Sequence, residues 1–381
     1  MSEKTYGVAI VGFGFMGKTH SYAYNTIPYY YGASPIKTTM KAVVVRREET
    51  IEEAIALAGF EFGTTRLEDV LERDDIDIIH ICTPNVLHRD QIIQALQAGK
   101  HIYCDKPVAS SYEDCKSILA ALDDVPSDLV TQVALQYRFY PCTMRARQLI
   151  DDGRLGKIYS FRATYLHSSS IDPDKPLKWK LDKTQGGGGV LYDLGSHVLD
   201  LMHFLIGPFG SVFADTHTAI QQRKHPETGE LKDVETDDLA IMLLRTQNGA
   251  LGSIEASKIA TGTNDELRLE IHGEKGAIRL NLMDPNWVEL YEVGDTSEPI
   301  GGDRGFTKIE TVGRYPAPGG AFPAPTLNVG WLRSHVACLH NFLSAIGGEA
   351  TAQPTLREAS EIQRIMDAAY TSAERGGWET L

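Results

Sequence analysis

The stretch that decides the fold is Val8-Ala9-Ile10-Val11-Gly12-Phe13-Gly14-Phe15-Met16-Gly17, almost at the amino terminus. Its four apolar residues predict a buried strand, its Gly-x-Gly-x-x-Gly segment predicts a tight turn, and residues 16–25 predict a helix. This order is typical of dinucleotide-binding folds, in which Gly12 permits the turn, Gly14 admits a pyrophosphate and Gly17 lets helix and strand pack closely. The amides at the helix start would hold the anion. We therefore expect residues 12–17 to bind a dinucleotide, and prefer this to an ordinary glycine-rich connection.

Length and charge restrict the class of protein. A chain of 381 residues is long enough for two domains. Its formal net charge of −14 argues against nucleic acid or an anionic membrane surface as a partner. No apolar run approaches the roughly 20 residues that a membrane-spanning helix needs, and the run before Gly12 is too short for a signal-peptide core. We expect a cytoplasmic protein.

The cysteines predict neither disulfides nor a metal site. They are odd in number and widely spaced, and they form no Cys-x-x-Cys pair and no recognised metal-ligand spacing. We therefore expect buried thiols, as in a reducing compartment, and no bound metal. The five residues are Cys82, Cys104, Cys115, Cys142 and Cys338.

The first third of the chain alternates short apolar runs with helical patterns. This alternation predicts a mostly parallel sheet covered on both faces by crossover helices. We assign residues 1–128 to a Rossmann-type, dinucleotide-binding domain, with residues 27–38 as a loop inserted before the second strand. The predicted strands are 8–11, 42–45, 76–82, 101–104 and 129–134, and the predicted helices are 16–25, 51–58, 67–71, 88–98 and 112–121.

The remainder, residues 129–381, has a different pattern, with long strand-like segments that follow one another directly. It predicts an α+β domain built on a large, mostly antiparallel open sheet, with a hairpin turn at Asn248-Gly249, a loop at 315–325 and two closing helices at 329–345 and 356–375. An open apolar sheet face favours self-association, so we expect substrate binding and a homodimer or homotetramer here. The predicted strands are 158–167, 212–219, 239–245, 250–259, 267–273, 277–280 and 287–292.

Two segments after predicted strands bear on the cofactor. Arg46 and Arg47 stand where an NAD-specific fold usually carries an acidic residue, and a guanidinium fits a 2′-phosphate. This favours NADP over NAD, although Arg46 stacked on adenine would leave NAD open. Thr83 and Asn85 follow the next strand, at the edge where a nicotinamide ribose would lie, although Asn85 is also a natural cap for the helix at residue 88.

Two further segments carry groups suited to proton transfer. Lys106 follows a strand at the same sheet edge, beside Asp105, and the Lys106-Pro107 bond is a candidate cis peptide. Asp193 and His197 lie four residues apart after a run of four glycines, so a helix places them on one face. Histidine is the usual proton-transfer residue near neutral pH, and the surrounding Leu and Val residues argue against a metal.

Taken together, these motifs identify a resemblance to the Gfo/Idh/MocA oxidoreductase family. The resemblance spans nearly the whole chain, in the family's order and spacing, although this sequence has Asp105 where the family commonly has glutamate. The matching segments are Gly12–Gly17, Thr83-Pro84-Asn85 with His88, Asp105-Lys106-Pro107, Gln136-Tyr137-Arg138-Phe139-Tyr140-Pro141, and residues 186–200 with Asp193 and His197.

The resemblance implies roles for these residues. Lys106 would bind the reacting oxygen, His197 would take or return the hydroxyl proton, and Asp193 would orient the substrate or the lysine. The nicotinamide carries the hydride. The implied cofactor-binding residues beyond the glycine loop and the two arginines are Thr83, Pro84, Asn85, His88, Asp105, Lys106, Gln136 and Trp179. The implied substrate-binding residues are Lys106, Tyr165, His167, Trp179, Asp193 and His197.

Three functions compete at this point. The leading one is an NAD(P)-dependent dehydrogenase or reductase that acts on a sugar, an inositol or a related polyol. The second is an enzyme that oxidises a sugar transiently and regains the electrons in each turnover, with net glycoside cleavage or epimerisation. The third is a non-catalytic sensor of nucleotide and sugar, against which the intact set of Lys106, Asp193 and His197 argues.

Overall fold

The computed structural model describes residues 4–314, 324 and 326–381. These residues form two compact units. The first comprises residues 4–136 and 331–363, and the second comprises residues 137–314, 324, 326–330 and 364–381. None of the helices among the described residues combines the length and the apolar character that crossing a membrane would require.

The first unit contains a six-stranded, fully parallel sheet in the order β3-β2-β1-β4-β5-β6. The predicted Rossmann-type architecture is therefore confirmed. β1, β4 and β5 are neighbours, so the loops after their carboxyl ends meet at one edge. The elements are β1 Thr5–Val11, α1 Phe15–Tyr31, β2 Lys37–Val44, α2 Ile51–Ala58, β3 Phe62–Thr64, α3 Glu68–Leu71, β4 Ile78–Ile81, α4 His88–Gln97, β5 His101–Cys104, α5 Tyr112–Asp123, β6 Thr131–Val133 and α9 Trp331–Ile346.

The prediction of an inserted loop at residues 27–38 was wrong. α1 continues to Tyr31 with Pro28 inside it, and β2 already begins at Lys37. Ile27 and Tyr31 are buried, and the Tyr31 ring stacks on His340 of α9 with 3.7 Å between ring centroids. This packing against a distant helix outweighs the low helix propensity of proline. Helix α1 ends at Gly32, whose φ of 75° is the left-handed conformation that favours glycine.

The second unit contains a nine-stranded sheet in the order β16-β15-β14-β13-β7-β12-β11-β8-β17. Of these described strands, β7 and β12 form the one parallel pair, which confirms the mostly antiparallel sheet. The elements are α6 Pro141–Asp151, β7 Ile158–Leu166, α7 Lys183–Gly186, α8 Ser196–Ile206, β8 Phe209–His217, β9 Gln222–Lys224, β10 Leu231–Asp233, β11 Leu239–Thr246, β12 Leu251–Ser257, β13 Glu266–Gly273, β14 Gly276–Asn281, β15 Trp287–Glu292, β16 Thr307–Glu310, α10 Leu356–Arg375, which begins in the first unit, and β17 Glu379–Thr380.

All seven strands predicted in this region are present, and Asn248-Gly249 does join β11 to β12, with a φ of 89° at Gly249. The additional strands β9, β10, β16 and β17 are two to four residues long, too short for a periodic pattern. The predicted loop at 315–325 lies outside the described residues except for Ala324. The closing helices are present, but α9 belongs to the first compact unit although the sequence assigns it to the second region.

Candidate functional site

The glycine loop after β1 has the geometry that a dinucleotide phosphate requires. Gly12 has a φ of 91°, and a Cβ there would lie 2.6 Å from the Cys82 carbonyl oxygen. A Cβ on Gly17 would lie 2.2 Å from the Gly12 carbonyl oxygen, so both positions exclude any side chain. A Cβ on Gly14 would meet no described atom within 4 Å, and no side chain caps the start of α1. The first amides of α1 therefore face an approach that is open to an anion.

Backbone hydrogen bonds align the three loops at this edge. The Cys82 amide donates to the Val11 carbonyl at 2.7 Å, and the Asp105 amide donates to the Ile81 carbonyl at 2.8 Å. The loops after β1, β4 and β5 therefore lie side by side. The structure thus brings together the expected cofactor-binding residues of the glycine loop, Thr83-Pro84-Asn85 and Asp105-Lys106.

His88 connects two of these loops. Its Nδ1 lies 2.9 Å from the Pro107 carbonyl oxygen and its Nε2 lies 2.9 Å from the Thr83 carbonyl oxygen. Burial lowers the pKa of His88, although Asp105 and these carbonyl contacts act in the opposite direction. The ring is fully buried and both nitrogens face the backbone. His88 therefore links the loop after β4 to the loop after β5, and its expected contact with the cofactor stays a prediction.

Lys106 stands at the carboxyl end of β5. Its backbone amide donates to the Asp105 carboxylate at 2.9 Å, its side chain is half-buried, and the Lys106-Pro107 bond is cis.

In the loop after β4, Thr83 donates its hydroxyl hydrogen to Gln91 at 2.6 Å. Asn85 opens a 3₁₀ turn, while Leu87 is the N-cap residue of α4, so Asn85 is not the cap of that helix.

The remaining candidate cofactor residues of the first unit lie at neighbouring positions of the same sheet. Arg46 and Arg47 follow β2 and are exposed, and Arg47 pairs with Glu49 at 3.4 Å. Phe15 and Met16 begin α1, where the Phe15 ring is 72% exposed and stacks on Trp331. Gln136 follows β6 and is buried.

In the second unit, Asp193 lies between two lysines. One carboxylate oxygen is 2.8 Å from the Lys180 ammonium and the other is 2.9 Å from the Lys258 ammonium. The Lys258 side chain is only 7% exposed, whereas that of Lys180 is about half exposed and lies over the half-buried Trp179 ring. Two cations therefore fix the direction of this carboxylate.

His197 lies in an aromatic environment. Its ring is buried, with centroids 4.9 Å from Tyr137 and 6.0 Å from Tyr165, and the two tyrosine hydroxyls are 2.6 Å apart. Burial raises the pKa of Tyr165 well above its usual range, so its hydroxyl stays protonated. His167, whose ring packs against Tyr165, lies 3.0 Å from the Asp265 carboxylate.

Asp265 is held as a carboxylate by its neighbours. Burial alone would raise its pKa, but hydrogen bonds from His167 and Tyr165 outweigh burial and lower the pKa of Asp265. The carboxylate therefore orients both rings. The four expected residues Tyr165, His167, Asp193 and His197 thus occupy one part of the second unit, with Trp179 beside Lys180.

The backbone that carries Asp193 and His197 is a π-turn, Leu191–Gly195, followed by α8. Its start is held by Asp237, whose carboxylate accepts the amides of Gly189 at 3.0 Å and Leu191 at 2.9 Å. A Cβ on Gly189 would lie 2.2 Å from the Asp237 carbonyl oxygen, which explains this glycine. The sequence predicted a regular helix; the structure interrupts it with a wider turn, a feature often found at functional sites.

Behind this turn, Asp200 of α8 and Arg138 form a buried ion pair. The guanidinium donates through Nε at 2.9 Å and Nη2 at 2.5 Å, with side-chain exposures of 4% for Arg138 and 2% for Asp200. The guanidinium also lies over the Phe204 ring. The pair fixes α8 against the segment that carries Tyr137.

Sequence reasoning missed several members of this site. Lys258 continues the alternation of the buried positions Ile254 and Ala256, and a lysine at such a position was a usable signal. Tyr137 lies in the segment 136–141 that resembles the family, but the resemblance implied no role for it. Asp237 and Asp265 carry no local signal, because their partners are distant in sequence.

Comparisons with known proteins agree with this geometry. Residues 6–130 match the family model described as an oxidoreductase family with an NAD-binding Rossmann fold. Residues 143–279 match the model for a GFO/IDH/MocA C-terminal domain. The two matches together cover the glycine loop, Lys106, Asp193 and His197.

Named relatives and solved structures extend the likeness to the whole chain. Levoglucosan dehydrogenase of Pseudarthrobacter phenanthrenivorans is 33% identical over 97% of this chain and 97% of its own. Inositol 2-dehydrogenase of Rhizobium meliloti is 31% identical over 62% of this chain and 67% of its own. A levoglucosan dehydrogenase structure in complex with NADH and levoglucosan superposes with a TM-score of 0.93, at 33% identity, covering 99% of both chains. The chain belongs to the Gfo/Idh/MocA family of NAD-binding oxidoreductases.

Proposed function

We propose that this enzyme moves a hydride between a nicotinamide cofactor and a CH–OH carbon of a cyclic sugar or polyol. The observation that carries the proposal lies in the second unit, where the buried imidazole of His197 follows by four residues the Asp193 carboxylate, which is held by two lysines. Such a set suits proton exchange with a hydroxyl group and hydrogen bonding to its neighbours. Relatives named for levoglucosan and inositol support the same substrate class.

Each residue has a defined task in this proposal. Lys106 donates a hydrogen bond to the reacting oxygen and stabilises negative charge there. His197 accepts the hydroxyl proton during oxidation and returns it during reduction, while Asp193 fixes the substrate. When it is bound, the nicotinamide supplies the hydride chemistry. Glycines 12, 14 and 17 leave room for its pyrophosphate, and His88 holds the loops of Thr83 and Lys106 in place.

The first experiment is a spectrophotometric screen at about 340 nm, the nicotinamide absorbance, with NAD or NADP and a panel of levoglucosan, inositols and simple aldoses. We expect reduction of the cofactor with at least one cyclic polyol. Bound cofactor with chemical conversion of a sugar but no net absorbance change would instead indicate the internally balanced redox cycle. Cofactor binding without conversion of any panel member would favour the sensor.

The two arginines after β2 are the basis for our proposal that the cofactor has a phosphate on the 2′ position of its adenosine ribose. NAD binding follows from the family, and a preference for NADP rests on Arg46 and Arg47 alone. If Arg46 contacts a 2′-phosphate, Arg46→Ala should weaken NADPH binding about tenfold or more, as expected for one charge-assisted hydrogen bond of roughly 1.5 kcal/mol. NADH binding should change less than about threefold.

Fluorescence titration with both reduced cofactors measures this difference directly. Arg357→Ala removes an arginine that is also exposed and paired with a carboxylate, Asp123, and serves as the control. Equal losses for NADH and NADPH in the Arg46 variant would show that the guanidinium stacks on adenine and does not read the phosphate.

The open face of the nine-stranded sheet carries a proposal about assembly. Ile241 and Leu243 of β11 and Leu251 of β12 are 47%, 42% and 40% exposed. Apolar side chains side by side on a sheet face favour burial against a second copy. We expect a homodimer or homotetramer by light scattering, and Leu243→Glu should reduce its mass towards that of one chain.

Leu231→Glu is the matched control, because Leu231 is exposed on the short strand β10 outside this sheet. A wild-type protein that is monomeric at micromolar concentration would overturn the proposal.

We also propose that the protein acts in the cytoplasm, where its five thiols would remain reduced. The assignment of residues 1–128 to cofactor binding and of 129–381 to substrate binding and assembly is likewise our proposal.

A further inference from the structure

Three potential metal ligands converge in the first unit, behind the glycine loop. We call them the His–Cys cluster: His20, His80 and Cys82. His80 on β4 and Cys82 just after it are two residues apart, so their side chains point to the same face of the sheet. Helix α1 lies on that face and contributes His20. The cluster is therefore built from two elements that the dinucleotide site also uses.

The distances in the His–Cys cluster approach those of a metal site. His20 Nδ1 lies 2.6 Å from His80 Nε2 and 3.3 Å from Cys82 Sγ, and the three ligand atoms lie within 4.8 Å of one another. Around a tetrahedral zinc ion, bond lengths of about 2.0–2.3 Å place such atoms roughly 3.3–3.6 Å apart. An ion therefore requires the two rings to separate by less than about 1 Å.

Hydrogen bonding alone does not satisfy this arrangement. A ring nitrogen has either one hydrogen or one in-plane lone pair, yet His20 Nδ1 faces both His80 Nε2 and Cys82 Sγ. A cation would bind the lone pairs of His20 Nδ1, His80 Nε2 and Cys82 Sγ together, in place of these competing contacts. The other two ring nitrogens, His20 Nε2 and His80 Nδ1, are buried and have no hydrogen-bond partner among the described residues, and an ion at the cluster would not provide one.

A fourth imidazole stands beside the cluster. His335 of α9 is 2% exposed, and its ring centroid lies 5.5 Å from that of His20. Neither of its ring nitrogens has a hydrogen-bond partner among the residues that the structure describes. If the His335 ring rotated, one of its nitrogens could join the three atoms of the His–Cys cluster as a fourth ligand. Three imidazoles and one thiolate would supply four nitrogen and sulfur ligands, the ligand types and number that a tetrahedral zinc site uses.

Charged groups of both signs act on the cluster. The Asp105 carboxylate acts electrostatically on His20 and Cys82, and the Lys106 ammonium acts on His335. A divalent ion bound by neutral imidazoles and one thiolate has a net positive charge, which Asp105 favours and Lys106 opposes.

We propose that the His–Cys cluster, completed by His335, binds a borderline-soft divalent metal ion of the zinc type. Nitrogen and sulfur ligands select such an ion over magnesium or calcium. The expectation of no metal rested on the spacing of the cysteines and on the apolar residues around Asp193 and His197. It did not consider His80 and Cys82, at the end of β4 and just after it, together with His20 sixty residues before His80.

The site would be structural and not catalytic, because all candidate positions are taken by protein ligands. An ion there would link α1 to β4 directly behind Gly12, whose Cβ position faces the Cys82 carbonyl. The ion would thereby hold the glycine loop in its binding conformation. This inference stands independently of the substrate that the enzyme converts.

Metal content and cobalt substitution test the proposal on the full-length protein. Protein produced with added zinc sulfate should contain about one zinc per chain by elemental analysis. Protein produced in zinc-depleted medium with cobalt chloride should show a thiolate-to-cobalt charge-transfer absorption, which exposed histidines cannot produce. Absence of both signals from the wild-type protein would overturn the proposal without reference to any variant.

Matched variants identify the ligands. Cys82→Ser should abolish the charge-transfer absorption, and His80→Ala should lower the zinc content at least tenfold. Cys115→Ser replaces a fully buried thiol of the same unit, on α5, and should leave both signals intact. Equal signals from the Cys82 and Cys115 variants would show that the metal binds elsewhere and would contradict the proposal.

Discussion

Lys106→Met should lower kcat by roughly 10²–10⁴-fold while leaving NADH binding within a few-fold of wild type. Methionine is unbranched and only one atom shorter than lysine, but it offers neither a proton nor a positive charge to the reacting oxygen. The backbone should keep its conformation, because it is held by the Asp105 carboxylate and by the contact between His88 and the Pro107 carbonyl. Steady-state rates with the best substrate of the screen and a parallel NADH titration measure the two effects.

The control for this variant is Lys116→Met, which removes an exposed lysine of α5 that pairs with Glu113. It should retain wild-type rates. Lys106→Arg tests whether charge alone suffices, and we expect it to remain far below wild type, since the guanidinium differs in size and shape from the ammonium. A Lys106→Met protein that keeps more than a tenth of wild-type kcat would remove this residue from the proposed chemistry.

The second large effect concerns stability and the Arg138–Asp200 pair. Asp200→Asn should destabilise the second unit by about 3–5 kcal/mol, because it leaves the Arg138 guanidinium charged and without its carboxylate in a buried place. The loss is larger than a typical surface ion pair contributes, about 0–1 kcal/mol. Urea unfolding monitored by circular dichroism gives the difference from the shift of the midpoint.

Two further variants separate the causes. Asp151→Asn breaks the exposed pair of Asp151 with Arg147 and should change stability by less than about 1 kcal/mol. Combining Arg138→Met with Asp200→Leu removes both charges and should recover much of the loss, as in other buried pairs replaced by apolar residues. An Asp200→Asn protein as stable as wild type would show that water reaches the guanidinium.

The sequence was most informative where chemistry and periodicity are local. The glycine loop, the alternation of strands and helices, and the Asn248-Gly249 turn each carry their own physical constraint, so the architecture followed from short segments. The same locality explains the failure at residues 27–38. Pro28 and the tyrosines indicate a loop when they are considered alone, and only the packing of Tyr31 on His340 makes the helix favourable.

The candidate site was predictable in its residues but not in their partners. Asp193 and His197 are evident from their spacing, yet the ion pair with Lys258 joins positions 65 residues apart. His88 fits a motif, but its two carbonyl contacts depend on the adjacency of β4 and β5. Sequence patterns indicate which groups are available, whereas strand order determines which of them meet.

The three glycines of the loop after β1 are not all required for the same reason. Backbone atoms of the chain itself exclude a side chain at Gly12 and Gly17, whereas at Gly14 no described atom lies within 4 Å of a Cβ position. In a library of variants at these three positions that is selected only for folding, Gly12 and Gly17 should be retained, whereas position 14 should accept alanine or serine. The same library selected for retention of a dinucleotide should recover all three. We therefore expect glycine at position 14 to be required for dinucleotide binding and not for folding.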